Sequence, residues 1–255
     1  MPWYKSWLET RWRFLIGLVL LGVAACGIVL DYPQAVKLLA AMPNSDPGGS
    51  IGRESTEAIA LSRDLRSWVW WQWFGQNGAQ LGTLFAALLG SGSPLSQGSG
   101  GAALFTLSLP VTRTQWLRVR AATGLAELLG LALVPSLLIP LLAPVVGQTY
   151  GVGTALIHGL CLFIASSMFF SLACLLSTVF SGVWRPLLIA FCAAAGLGLI
   201  ERIFRDVLPS SMVHVVSAEL YFRGGRLPWL GLFASAAVSV ALLYAAARNI
   251  ARQDF

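Results

Sequence analysis

The chain has 255 residues, of which 56% are hydrophobic and only 11% are charged. Soluble domains carry about 25% charged residues, and a soluble fold of this length could not cover so much apolar surface. The composition therefore excludes an ordinary soluble domain and favours an all-α polytopic membrane protein, with a single transmembrane domain over residues 1–255. The formal charge of +6 does not indicate nucleic-acid binding, because the basic residues lie at the ends of apolar runs.

Residues 1–13 predict an amphipathic helix. Trp3, Trp7 and Trp12 fall near one face of this helix, while Glu9 and Arg13 fall on the other. Tryptophan is enriched in the headgroup layer of a bilayer, and helices with one apolar and one charged face lie in the interface plane. We therefore expect an interface helix that lies on the membrane surface in contact with lipid.

The apolar runs predict six membrane spans, since a bilayer core about 30 Å thick requires roughly 20 helical residues. The spans are expected over residues 14–30, 68–90, 121–146, 153–180, 187–200 and 229–247. Asp31 and Pro33 are expected to end the first span. Residues 200–226 begin with an amphipathic stripe and are expected to form short helices between the last two spans.

The distribution of charge predicts the orientation of the chain. Six spans place both termini on one side of the membrane, where nine basic residues accompany only Glu9 and Asp254. The two long loops on the other side carry eight basic and eight acidic residues. Because basic residues close to span ends favour the cytoplasm, we expect both termini to be cytoplasmic.

Several polar side chains fall inside the second predicted span. Gln72, Gln76 and Gln80 recur at a spacing of four residues, and Asn77 lies beside them. Such a face suits a wet transport pathway and suits hydrogen bonds between helices equally well, so both interpretations stay open. A similar stripe in the fourth predicted span favours helix packing and consists of Ser167, Ser171, Cys174 and Thr178.

Glu127 is the clearest ionisable residue within a predicted span, seven residues after Arg120. Ionisable groups inside a membrane are costly and are therefore candidates for function. The interpretation favoured by the sequence is a carboxylate near the cytoplasmic edge that snorkels to water or pairs with an arginine.

The motifs of common enzymes are absent. The chain has two lysines and neither follows a glycine, so there is no ATP-binding P-loop. A metalloprotease motif is also missing, and a hydrolase that paired His158 with Ser166 or Ser171 would lack the Gly-x-Ser-x-Gly turn. We therefore expect no catalytic site and no metal site on this chain.

Three segments together resemble the type-2 permease family of ATP-binding-cassette (ABC) exporters. They are the N-terminal helix Trp3-Tyr4-Lys5-Ser6-Trp7-Leu8-Glu9-Thr10-Arg11, a segment after the second span, and the tail Ala251-Arg252-Gln253-Asp254-Phe255. The most specific part is Leu107-Ser108-Leu109-Pro110-Val111-Thr112-Arg113.

The resemblance implies a permease subunit in the bacterial inner membrane. It would work as an exporter, in a dimer with a second copy or a paralogue and with separate ATP-binding subunits. ATP and Mg would bind to those subunits, so no cofactor is expected on this chain. The family also implies that residues 102–110 form a coupling helix on the ATPase and that residues 200–226 lie outside the cell. The expected coupling residues are Leu104, Phe105, Leu107, Leu109, Pro110 and Arg113.

Two other functions remain open from the sequence. The first is a membrane protein that transports nothing, such as an immunity or assembly factor. This alternative explains the hydrophobicity but not the apolar cytoplasmic segment that ends at Pro110. The second is an intramembrane hydrolase. The sequence does not identify a transported substrate, so a lipid, a peptide, a drug and an ion all remain open.

Overall fold

The computed structural model describes residues 2–41, 64–92, 113–180, 182–203, 218–222 and 224–252. Within these ranges every regular element is helical. The elements are α1 (Pro2–Ala41), α2 (Leu65–Val69, Trp70–Asn77 and Gly78–Gly90), α3 (Arg113–Leu142, then Ala143–Val146), α4 (Val152–Val179), α5 (Trp184–Ile203), α6 (Glu219–Phe222) and α7 (Trp229–Arg252). The central part of α2, Trp70–Asn77, is π-helical, and Ala143–Val146 at the end of α3 is a 3₁₀ turn.

Four of the described helices are long and apolar enough to cross a membrane. Their candidate spans are Trp3–Leu38, Gln115–Val146, Val152–Val179 and Trp229–Arg252. The expectation of an all-helical membrane protein is confirmed at this level. The second and fifth predicted spans fall on α2 and α5, and the apolar part of α5 is the shorter helix Trp184–Leu199.

Helix α4 lies at the centre of the bundle. Its most apolar stretch is 67% buried, whereas those of α1 and α7 are only 22% buried. It packs against α2, α3 and α7, while α1 packs mainly along α3. The outer faces of α1 and α7 carry exposed apolar side chains, as expected for helices in contact with lipid.

The described helices run alternately up and down, so that one set of helix ends meets beside the N-terminus. We call this the N-terminal end of the bundle. The ion pair between Glu9 and Arg120 brings α1 to α3 at this end. A hydrogen bond from Asn249 to Thr178 joins α7 to α4 there as well. At the opposite end, the ring of Tyr32 packs against Trp68.

The predicted break between an interface helix and a first span is wrong, because α1 is one helix from Pro2 to Ala41. A proline inside a helix removes one backbone hydrogen bond and clashes with the preceding turn, yet α1 continues through Pro33. Packing on the inner face of this turn compensates for that loss. Val29 and Tyr32 are buried, and the indole nitrogen of Trp68 donates to the carbonyl of Ile28.

The other predicted spans differ from the helices mainly at their ends. Helix α4 matches its predicted span to within one residue at either end. Helix α5 begins at Trp184 rather than at residue 187, because Pro186 falls in the first turn, where a proline removes no intrahelical hydrogen bond. Helices α3 and α7 extend beyond their apolar runs to Arg113 and Arg252, respectively.

Candidate functional site

The predicted coupling helix lies outside the described residues. The description stops at Gly92 and resumes at Arg113, the first residue of α3. Leu104, Phe105, Leu107, Leu109 and Pro110 therefore stay predictions from the sequence. The expectation for residues 200–226 lies partly outside the described ranges in the same way, since residues 204–217 and 223 are not described.

The structure does describe the helix ends on either side of residues 93–112. On the side of α2, the guanidinium of Arg13 donates to the carbonyl of Leu88 at 3.1 Å and to that of Ser91 at 2.6 Å. Carbonyls at the end of a helix lack intrahelical partners and carry partial negative charge. Arg13 of α1 therefore caps the end of α2 immediately before the loop.

On the side of α3, Arg120 makes the corresponding contact. Its guanidinium pairs with Glu9 of α1 at 3.4 Å and lies over the ring of Trp116. Arg120 also lies so close to Gly92 that a Cβ atom at this position would collide with its Nη2 atom. Gly92, the last described residue on the side of α2, and the first turns of α3 are therefore in contact through the buried side chain of Arg120.

Thr10 of α1 adds a second polar contact between α1 and α3. Its hydroxyl lies 2.5 Å from the Oε1 atom of Glu127, and both side chains are buried. Glu127 therefore does not snorkel to water, and the ion pair of Arg120 goes to Glu9 instead. Glu9, Thr10, Arg13, Arg120 and Glu127 together are called the polar cluster below.

The sequence did not predict this cluster, although Arg13 and Arg120 both flank predicted spans. The partners lie far apart in the chain, 117 residues in the case of Thr10 and Glu127. Only the packing of α1 along α3 brings them together. The available signal was the concentration of charge next to one loop, which by itself names no pairs.

The four predicted pathway residues lie on the surface of the bundle rather than inside it. Gln72, Gln76 and Asn77 are half-buried and Gln80 is exposed. The side-chain amide of Asn77 donates to the backbone carbonyl of Gln72 at 2.9 Å. Gln72 and Asn77 are thus brought together within α2, whereas Gln80 faces outward.

The π-helical segment of α2 coincides with this polar face, since it covers Trp70–Asn77. Such segments are rare and occur frequently at functional sites. The opposite face of the segment is fixed in the core, where Trp73 and Phe74 are fully buried. The amide face is therefore held in one orientation by large side chains on the inner side.

The serine stripe of α4 packs against α7, in agreement with the packing interpretation. The hydroxyls of Ser171 and Ser239 lie 2.6 Å apart, and Ser239 also donates to the carbonyl of Ser167. The amide of Asn249 donates to Thr178 at 2.8 Å. Polar contacts of this kind join helices where water is absent.

The structure does not assemble the Ser–His pair of a hydrolase. The Nδ1 atom of His158 forms a hydrogen bond with the backbone carbonyl of Thr154, and the imidazole ring packs against Phe74 and Tyr221. Its Nε2 atom and the hydroxyl of Ser166 are buried without a hydrogen-bond partner among the described residues.

Tyr150 lies at the opposite end of the bundle, between α3 and α4. Burial raises the pKa of its phenol, and the positive charge of Arg66 opposes this effect. Tyr150 is therefore a neutral hydroxyl at physiological pH.

Comparisons of the chain with protein families, curated proteins and solved structures found no match. The function is therefore argued from the residues themselves. Within the described ranges, no three acidic, histidine or cysteine side chains come together as metal ligands. A cavity of about 10 Å³ beside Gly82 and Ser166 has room for about one water molecule, which is too little for a transported molecule.

Proposed function

We propose that this chain is the membrane-spanning permease subunit of an ATP-driven ABC exporter. It would work as a dimer with separate ATP-binding subunits. The observation that carries this proposal is that the helix ends on either side of residues 93–112 both contact α1, through Arg13 on the side of α2 and through Arg120 on the side of α3. A partner bound to residues 93–112 would therefore transmit its movement to these three helices.

The loop also carries a segment suited to a protein partner. Leu104, Phe105, Leu107 and Leu109 are too few to span a membrane and too apolar to leave in water. A helix that lays such a face into a groove is a common mode of recognition. Burying Phe105 and one leucine would contribute roughly 1.5–3 kcal/mol each, which is enough to make these side chains important for docking.

The proposal places all six predicted spans in the membrane, with the N-terminal end of the bundle in the cytoplasm. Helix α5 has 20 residues, or roughly 30 Å at 1.5 Å per residue. Arg13, Arg120, Arg248 and Arg252 belong to helix ends that meet at the N-terminal end. Basic residues next to span ends favour the cytoplasmic side, where the ATPase would dock.

A second copy or a paralogue would cover the amide face of α2. An exposed Gln80 would place an amide against lipid, where an unpaired polar group is costly. If the same face of a partner lies opposite, the amides of both chains can line a polar path between them. This arrangement puts the pathway between the two permeases rather than within one bundle.

Purification of the chain with its partners tests the proposal directly. We expect a tagged chain from its native membranes, extracted in a mild detergent, to retain a P-loop ATPase in stoichiometric amount. The purified assembly should hydrolyse ATP, although this chain has no P-loop. A chain that purifies as a stable dimer without any ATPase would contradict the proposal and favour the non-transporting alternative.

The orientation is tested by labelling single cysteines with a membrane-impermeant thiol reagent. In a variant without the four native cysteines, we expect Ser50→Cys to react in intact cells and Ser99→Cys to react only after the cells are opened. The reverse pattern would place the loop 93–112 outside the cell and would exclude docking of a cytoplasmic ATPase on it.

A further inference from the structure

Three polar side chains are buried between α1 and α3 near the N-terminal end. Ser6, Thr10 and Glu127 are 8%, 3% and 5% exposed, respectively. The hydroxyl of Ser6 and the Oε2 atom of Glu127 have no hydrogen-bond partner among the described residues. Buried polar atoms are normally paired, so the unpaired carboxylate oxygen of Glu127 is the feature that requires an explanation.

The position of Thr10 determines which occupant fits best. Its Oγ1 atom lies 2.5 Å from the Oε1 atom of Glu127 and 3.2 Å from the backbone carbonyl of Ser6. A hydroxyl has one hydrogen to donate and can also accept. Thr10 can therefore donate to Glu127, or it can donate to the carbonyl of Ser6 and accept a hydrogen from Glu127.

The second arrangement requires a protonated carboxyl group and gives the hydrogens of both Glu127 and Thr10 an acceptor. The proton on the Oε1 atom of Glu127 bonds to Thr10, and the proton of Thr10 bonds to the carbonyl of Ser6. In the ionised arrangement, the Oε2 atom of Glu127 is a buried, charged acceptor without a donor. Leaving such an atom unpaired costs more than leaving a neutral one unpaired.

The surrounding charges favour the ionised form instead. The charged and titratable groups that interact with this region are Glu9 and Arg13 on α1, Arg120 on α3 and Cys174 on α4, while Arg248 of α7 is exposed. The described part of α2 has no acid or base at this end. If Glu127 is ionised, it and Glu9 balance Arg13 and Arg120. If Glu127 is protonated, the polar cluster carries one excess positive charge. The hydrogen bonds and the charges therefore favour opposite states.

We propose that Ser6, Thr10 and Glu127 form a proton-binding site. The carboxyl group of Glu127 takes up one proton from water and donates it in a hydrogen bond to the hydroxyl of Thr10, which in turn donates to the backbone carbonyl of Ser6. A proton needs no space beyond the existing packing, in contrast to a metal ion. The site does not depend on the transport proposal, because all of its residues lie within this chain.

Infrared spectroscopy of the purified chain tests the site, since the carbonyl stretch of a protonated carboxyl group is separate from the bands of carboxylates. When the spectrum of Glu127→Gln is subtracted from that of the wild type, we expect the band of a protonated carboxyl group at mildly acidic pH. The band should disappear at alkaline pH. Thr10→Val should keep the band but shift its frequency, because the carboxyl group loses its acceptor. Asp31→Asn, which removes an exposed carboxylate near the opposite end of α1, is the matched control and should leave the band in place.

Two results would overturn the proposal. One is a difference spectrum without a protonated carboxyl band at any pH, and the other is a carboxylate band of Glu127 that changes when sodium replaces potassium. The second result would assign the site to a metal cation. Glutamine has nearly the same shape as a protonated glutamate and is expected to fold. If Glu127→Gln does not fold, the Thr10→Val shift decides by itself, and an unchanged spectrum in that variant rejects the site.

Discussion

Replacing Gly90 with alanine tests the close approach of α2 and α4. A Cβ atom at Gly90 would collide with the backbone carbonyl oxygen of Phe170 and would lie 2.9 Å from the Cβ atom of Ala173. Neither of these atoms can rotate away, so the two helices must separate. Overpacking of this kind costs about 1–3 kcal/mol, while alanine in a helix regains roughly 0.5–1 kcal/mol relative to glycine. We therefore expect a net loss in the free energy of unfolding of up to about 2.5 kcal/mol, centred on about 1 kcal/mol.

Gly27→Ala is the matched control, because a Cβ atom at that position of α1 would meet no atom within 4 Å. It should be neutral or stabilising by up to about 1 kcal/mol. Gly82→Ala should fall between the two, since its Cβ atom would lie 3.5 Å from the flexible end of Leu162. The assay is reversible unfolding of the purified chain in detergent. If Gly90→Ala were as stable as Gly27→Ala, the packing of α2 on α4 would be wrong.

Two further predictions concern helix contacts and the amide face. A double-mutant cycle with Ser171→Ala and Ser239→Ala should give a coupling energy of about 0.6 kcal/mol, and up to about 1.7 kcal/mol; zero coupling in the unfolding assay would contradict their hydrogen bond. Replacing Gln72, Gln76 and Gln80 together with leucine should stop transport in reconstituted vesicles while the complex still assembles. Loss of assembly before loss of transport would favour helix packing, and normal transport would remove the pathway proposal.

The apolar runs were sufficient to predict the central helices. The predicted fourth span agrees with α4 to within one residue, because a long apolar run follows Gly151 directly and ends at Phe180. The composition was likewise sufficient for the class of protein, since few charged residues and several long apolar runs leave little choice other than a helical membrane bundle.

Local sequence signals failed where packing between distant residues decides the structure. Pro33 predicts a helix end, but α1 continues because Val29 and Tyr32 pack against the core. The π-helical segment of α2 has no evident signal in the sequence. Trp73 and Phe74 on its inner face are fully buried. The wider turn is therefore associated with tertiary packing rather than with the local propensity of these residues.

The candidate site shows the same limit. Glu127 could be recognised as unusual from its place within an apolar run, but its partner could not. An arginine seven residues earlier was the obvious choice, whereas the structure provides Thr10 from another helix. The amide stripe of α2 could be recognised in the sequence. Its outward orientation could not, because the spacing of residues along a helix does not show which face packs against the core.

The most direct test of the permease assignment uses the loop 93–112. We predict that Phe105→Asp detaches the ATPase in a co-purification assay and stops transport, because a charge at this position cannot be buried in an apolar groove. The thermal unfolding of the helices should not change. Leu95→Asp is the matched control, since it places the same charge in the Gly/Ser-rich part of the same loop, and it should retain the ATPase. Full retention of the ATPase by Phe105→Asp, and also by Leu104→Asp combined with Leu107→Asp, would contradict the coupling segment and the family assignment that depends on it.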